Sequence, residues 1–290
     1  MRTRINAAVI IAKRELFEGF ISPGFYIAIT IGLFVGFLLI SGFVTSVGSS
    51  GLDYNALNPF YNIIFKSLKG AFGDTFVNKL FSEGPFLFAI IIAFLPVLLF
   101  LSISSVFKFG FEKNIGIIEL LSYGPADGTS YLCASLAKNC IVTGFSLLIL
   151  FLFFSLAALI NNLVPGSTFY FALPLLFFFS TAVYGYVVFV SVITNNAASS
   201  VAAFITILIV YVLLQIGSFA LVGGYVRNLS GVVAWIIQWF SPVFYWHFGL
   251  DSVDYGNILG FFLSLLFLLM LACILLAASH FILKKRGVRG

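Results

Sequence analysis

The sequence predicts an all-α polytopic membrane protein with six transmembrane helices, an N-terminal interfacial amphipathic helix and a short cytoplasmic helix. Three observations predict it. Hydrophobic residues make up 61% of the 290 and charged residues 9%, with a mean hydropathy of +1.14, whereas soluble domains carry roughly 25% charged residues. Apolar stretches of about 20 residues, the length that crosses ~30 Å of hydrocarbon, recur at residues 24–47, 86–107, 139–160, 168–192, 198–223 and 257–283. They are apolar throughout, as in Leu147 to Leu156, and do not alternate in the segments of about 10 residues that barrel strands require. This balance excludes a water-soluble enzyme.

The N-terminal segment, residues 1–23, is a helix of another kind. Ile5, Val9, Ala12, Leu16 and Phe20 recur at helical spacing, with Lys13, Arg14, Glu15 and Glu18 on the other side, which suits a helix lying in the interface. A basic flank that serves only orientation competes evenly with this reading. Those same charges interrupt the apolar core that a cleavable signal needs, so the first span is expected to be retained. Ser22-Pro23-Gly24 turns the chain into that span, where Gly32 and Gly36 form a small-residue pair expected to serve internal packing rather than a dimer face.

Three connectors carry structure. The loop over 48–84 reads as coil from Gly48 to Asn58 and then as an amphipathic helix through Phe60, Ile63, Ile64, Leu68, Ala71, Phe72 and Phe76, a lid on the bundle. The loop over 108–138 holds a short helix from Phe111, with Ile115 and Ile118 on one side, Glu112, Lys113 and Glu119 exposed, and Gly124-Pro125 ending it. The loop over 224–256 holds Trp235, Trp239 and Trp246 with Tyr245 and Tyr255. Residues 231–240 are too few to span, so a pair of short re-entrant helices broken at Ser241-Pro242 is expected, an aromatic belt at headgroup level being the simpler alternative. The whole, residues 1–290, reads as a single transmembrane domain.

Charge sets the orientation. Net charge is +5, but the basic residues lie at the ends of apolar runs, so they speak for a membrane and against nucleic acid. With six spans, eleven of them fall on one side (Arg2, Arg4, Lys13, Arg14, Lys108, Lys113, Lys138, Lys284, Lys285, Arg286 and Arg289) and four on the other (Lys66, Lys69, Lys79 and Arg227). Both termini are therefore expected in the cytoplasm.

The expected chemistry is sparse. Spans free of Asp, Glu, Lys and Arg disfavour an ion-coupled carrier. Two distant histidines, His247 and His280, with Cys133, Cys140 and Cys273, suggest neither a metal centre nor a disulfide framework. The chain contains no Gly-Lys dipeptide and so no phosphate-binding loop; ATP, if it drives this protein, must bind another subunit.

Three segments together resemble the permease subunits of type-2 ATP-binding-cassette transporters, in the branch of gliding-motility and nitrous-oxide-reductase-maturation permeases. They are Lys13-Arg14-Glu15-Leu16 with Phe20, Ser22-Pro23 and Tyr26; Glu112-Lys113 with Gly116, Glu119-Leu120-Leu121 and Pro125; and Ser241-Pro242 with His247-Phe248 and Gly256. The chain departs from the pattern at Ile117, Ala134-Ser135 and Lys138 and in a stretched Ser-to-His interval. The resemblance implies a subunit of a bacterial cytoplasmic (inner) membrane exporter, paired with a second permease copy or paralogue and a cytoplasmic ATPase dimer that holds ATP and magnesium, with no cofactor in this chain. It also implies an extracytoplasmic accessory protein, contact with membrane lipid, and coupling to the ATPase through Lys13, Arg14, Glu15, Glu112, Lys113, Gly116 and Glu119. Trp235, Trp239, Pro242, Trp246 and His247 would form the outer element. The alternative is a scaffold that anchors outer partners and transports nothing.

Overall fold

The computed structural model describes residues 2–50, 63, 66–67, 85–116, 128–194, 196–222 and 238–286. All regular structure among them is helical: α1 (Arg2–Ile21), α2 (Pro23–Ser50), α3 (Phe86–Ile115), α4 (Gly128–Ile160), α5 (Ser167–Ile193), α6 (Ala197–Val222), α7 (Pro242–Asp254) and α8 (Ile258–Arg286). Five of these, α2, α3, α4, α5 and α8, are long and apolar enough to cross a membrane. α6 is 26 residues long, and its apolar stretch with described side chains is Ala197–Leu213.

The most enclosed helix is α5, flanked by α3, α4, α6, α7 and α8, with α2 laid along α3 and α1 along α4. Lipid-type surfaces follow from the same sequence logic: Ile27, Ile31 and Phe34 on α2 and Phe262, Leu266 and Ile274 on α8 are exposed, as expected where the surroundings are themselves apolar. The core is filled by Phe25, Ile90, Phe94, Leu150, Phe154, Phe169, Tyr184 and Phe204. Gly32 and Gly36 serve internal packing. A Cβ on Gly32 would collide with the Ala93 carbonyl of α3, and one on Gly36 would come within 2.8 Å of Phe154 Cζ on α4.

Several expectations shift. Instead of ending at residue 107, α3 runs to Ile115 and is stopped by Gly116, in the left-handed conformation (φ 79°) with its N–H turned back to the Glu112 and Lys113 carbonyls. Since α4 begins at Gly128, Glu112 and Lys113 belong to the end of a long helix rather than to a separate coupling helix, and Lys138 belongs to α4. The physical reason is that these charges find partners inside the protein, so the helix need not end where they begin. Likewise α2 continues through Gly48 to Ser50, where coil was expected. Ile63, Lys66 and Ser67 are helical; the rest of the lid, Ile118 to Gly124 with Glu119, and Trp235 lie outside the described residues.

The two ends of the described chain meet at one end of the bundle. There Ile11 of α1, Phe109 of α3, Tyr131 and Leu132 of α4, Val188 and Val192 of α5, and Leu276, Ile282 and Leu283 of α8 form a second, smaller apolar cluster.

Candidate functional site

Above that small cluster lies a group of charges. α1 packs on α4, with Phe20 edge-on to Phe145 at a ring-centroid distance of 5.3 Å and Gly19 facing Lys138 and Val142. This turns Glu15 inward, 5% exposed, contrary to its expected place on the polar side. Val9, Ile10, Phe17 and Ile21 face out instead. The outward apolar stripe suits a membrane interface, and the inward face combines the buried Glu15 with the partly buried Ile11, Leu16 and Phe20.

The charges balance, three acids against three bases. Lys108 of α3 is the hub: its Nζ donates to Glu15 Oε1 at 2.5 Å and to Glu18 Oε2 at 2.6 Å, and lies 3.8 Å from Glu112 Oε1. Lys138, also buried, holds Nζ at 3.7 Å from Glu15 Oε2, an ion pair too long for a hydrogen bond. Arg14 Nε donates to Glu18 Oε1 at 2.8 Å from the exposed side. On the other flank the Tyr131 hydroxyl donates to Glu112 Oε2. The Lys108 hydrogen bond, helped by that from Arg14, holds the Glu18 carboxyl below its ordinary value against the opposing effect of burial, and the Glu18 partner raises the Arg14 guanidinium. One layer deeper, Ser105 and Asn139 exchange hydrogen bonds of 3.0 and 2.9 Å.

Lys113 is committed elsewhere. Its Nζ donates to the Val192 and Thr194 carbonyls at 3.3 and 3.0 Å, satisfying the C-terminal end of α5. Close by, a Cβ on Gly110 would sit 2.7 Å from Ala197 Cα, so α3, the α5–α6 turn and the start of α6 form one packed corner. Of the residues expected to couple to a partner, Glu15, Glu112 and Lys113 thus hold the bundle's own helices together, whereas Lys13 and Arg14 are exposed. Gly116 closes α3.

A second locus lies at the start of α7. Gly260 meets Ser252, Gly249 meets Ser264, and Tyr245 stacks on Phe267 with ring centroids 5.2 Å apart, so α7 runs antiparallel to α8. Its first residues lie level with Tyr186, whose hydroxyl donates to the Phe240 carbonyl. Tyr186 is 19 residues into α5, or ~28 Å from its first residue at 1.5 Å per residue. The break at Ser241-Pro242 is therefore deep in the bundle, with Ser241 as the N-cap and Pro242 in the first turn. Backbone broken at such depth must find partners within the protein. Tyr186 supplies one, Tyr245 donates to the Trp239 carbonyl at 2.9 Å, and Tyr211 of α6 lies 2.9 Å from the Tyr186 hydroxyl. Trp246 packs against Phe179 with its Nε1 buried, and Trp239 is half exposed at the tip. Trp246 thus packs on α5, whereas Trp239 keeps about half of its surface exposed. His247 Nδ1 lies 3.2 Å from Asp251 Oδ2 on the same helix.

No protein-family model, characterised protein or solved structure matches this chain. Among the described residues no three His, Cys, Asp or Glu side chains gather as a metal site would require. Lys108, Lys138, Tyr131, Tyr186 and Tyr211 were not singled out as site residues by sequence reasoning. A lysine one residue from a predicted span boundary, as Lys108 and Lys138 are, carries a signal, because each could be drawn into the helix. The tyrosines carry none, since in an apolar run they read as core.

Proposed function

We propose that the chain is the membrane subunit of an ATP-binding-cassette exporter, with six spans, α6 supplying the sixth, and both termini in the cytoplasm. A separate cytoplasmic ATPase dimer would drive it, and a second permease copy or paralogue would complete the membrane part. The observation that carries this reading is the balanced ion cluster at the end of an otherwise apolar bundle. It joins the interfacial helix α1 to α3 and α4 through Lys108, Glu15, Glu18, Glu112 and Lys138. A push on α1 from the solvent side is passed to two long helices at once, because the cluster's charges cannot separate without leaving a buried charge unpaired. Among the described residues the charges of α3 and α4 (Lys108, Glu112, Lys113 and Lys138) lie at one end of the bundle, so in this reading the energy comes from the partner ATPase rather than from a relay through the spans. Lys13, Arg14 and the exposed Phe111 and Ile115 at the same end offer the ATPase a surface.

In this reading Glu15, Lys108 and Glu112 are positioning residues that transmit movement, and their charges need not touch the partner. The test uses the complex purified with its ATPase and reconstituted in liposomes. The double variant Glu15→Gln with Lys138→Met, which removes one acid and one base, should keep the complex assembled while uncoupling ATP hydrolysis from movement of the exporter. Measured as the response of hydrolysis to opening and closing of spin-labelled α3, full coupling in that variant would sink the role given to the cluster.

A further inference from the structure

Between α2 and α4, at the end of the bundle remote from the ion cluster, lies a groove of about 600 Å³, within the ~300–1,000 Å³ of ordinary ligand clefts. Its floor is Ile40, 2% exposed, and its rims are Phe37, Leu156 and Ile160, all strongly exposed. Small side chains make the space: Ser41 and Ala157 line it. Below it the two helices close up, where Gly36 meets Phe154. Among the described residues the walls carry no charge, and the polar side chains are Ser41 within the groove and Asn161 at its outer end. Asn161 lies where α4 stops, at a turn made by Asn162 in the left-handed conformation (φ 51°).

We infer that this groove holds one acyl chain of a bilayer phospholipid, with the head group at the Asn161 turn. Three features select that occupant. Both flanking helices are long and apolar enough to cross a membrane, and the rims Phe37, Leu156 and Ile160 are exposed, as suits a groove laid against hydrocarbon. From Phe153 to Asn161 is 8 residues, ~12 Å at 1.5 Å per residue, which fits within one leaflet of ~15 Å, half the hydrocarbon thickness. The apolar depth and the polar end at Asn161 match an amphiphile entering lengthwise. The inference needs the membrane architecture but not the ATPase; a negative result leaves the exporter reading standing, and failure of the exporter reading leaves this one intact.

The test is native mass spectrometry of the full chain after reconstitution in phosphatidylcholine nanodiscs and release under mild activation. The chain is expected to retain one phosphatidylcholine. Ala157→Phe, which fills the groove, should abolish that adduct, and Leu266→Phe on the lipid-exposed face of α8 should not. If Ala157→Phe fails to fold, Ser41→Leu fills the same space from α2 and is expected to give the same loss. Equal retention by a folded groove-filled variant and the unaltered chain overturns the assignment. So does a photo-crosslinker at Leu156 that captures a peptide from residues 51–84 rather than phospholipid, since the occupant would then be the chain itself.

Discussion

At the scale of single residues, the most consequential side chain is Glu15. Its carboxylate is buried between Lys108 and Lys138, and removing one member of a buried ion pair costs about 3–5 kcal/mol because the other is left uncompensated. Glu15→Gln alone should therefore destabilise the fold by about 3 kcal/mol, and adding Lys138→Met should recover most of that loss; thermal unfolding of both variants in detergent checks the sign of the coupling. Acid should loosen the same contact. Because Glu18 is held below its ordinary value chiefly by the Lys108 hydrogen bond, its contribution is fully present above the unfolded carboxylate range near ~4.3 and disappears as pH falls through the lowered folded value. Spin labels at Phe17→Cys and Phe107→Cys should keep a narrow distance distribution from pH 7 to about 5 and broaden below about 4, and Glu18→Gln should remove that dependence. At the other locus, Tyr186→Phe strips the donor from the Phe240 carbonyl and should cost about 0.5–1.5 kcal/mol. Amide exchange at the start of α7 should quicken more than exchange in α3. None of these partnerships was visible in the sequence. Periodicity placed Glu15 with its polar neighbours because it cannot register a lysine 93 residues away, and the hydroxyl of Tyr186 gave no sign of a broken helix 54 residues on.

Individual elements were more legible, and for local reasons. Ser241-Pro242 marked a helix start because a serine N-cap followed by proline is a local solution to the unsatisfied donors of a first turn, and α7 begins there. The depth of that start was not legible, since it depends on which carbonyls the α5 and α6 tyrosines reach. The α3 boundary was misjudged by eight residues, 107 against 115, because charge was taken as the end of the helix. Gly116 with its left-handed backbone is the actual stop. The Gly32 and Gly36 pair was read correctly as internal packing, and its two positions should differ in tolerance. The neighbour of Gly32 is the Ala93 backbone, which cannot yield, and that of Gly36 is the outer edge of the Phe154 ring, which can turn. Gly32→Ala should therefore lower the unfolding temperature markedly more than Gly36→Ala, whose overpacking is expected to cost about 1–3 kcal/mol; equal effects would contradict the close approach of α2 and α3.

For the whole molecule, hydropathy alone located five long apolar helices because the bilayer imposes a length that composition cannot hide. It could not arrange them, since lipid-facing and core-facing positions are equally apolar; the enclosure of α5 and the peripheral place of α2 follow from packing. Nor could it say why charges cluster at one end, which is the feature on which the exporter proposal rests. The most direct measurement is therefore isolation of the tagged chain from its native membrane in mild detergent, with mass spectrometry of the retained proteins and an ATPase assay of the eluate. The exporter account predicts a co-purifying P-loop ATPase and hydrolysis above that of membranes lacking the chain. A folded, monodisperse chain that retains no ATPase would contradict it and would leave the ion cluster as a structural clasp.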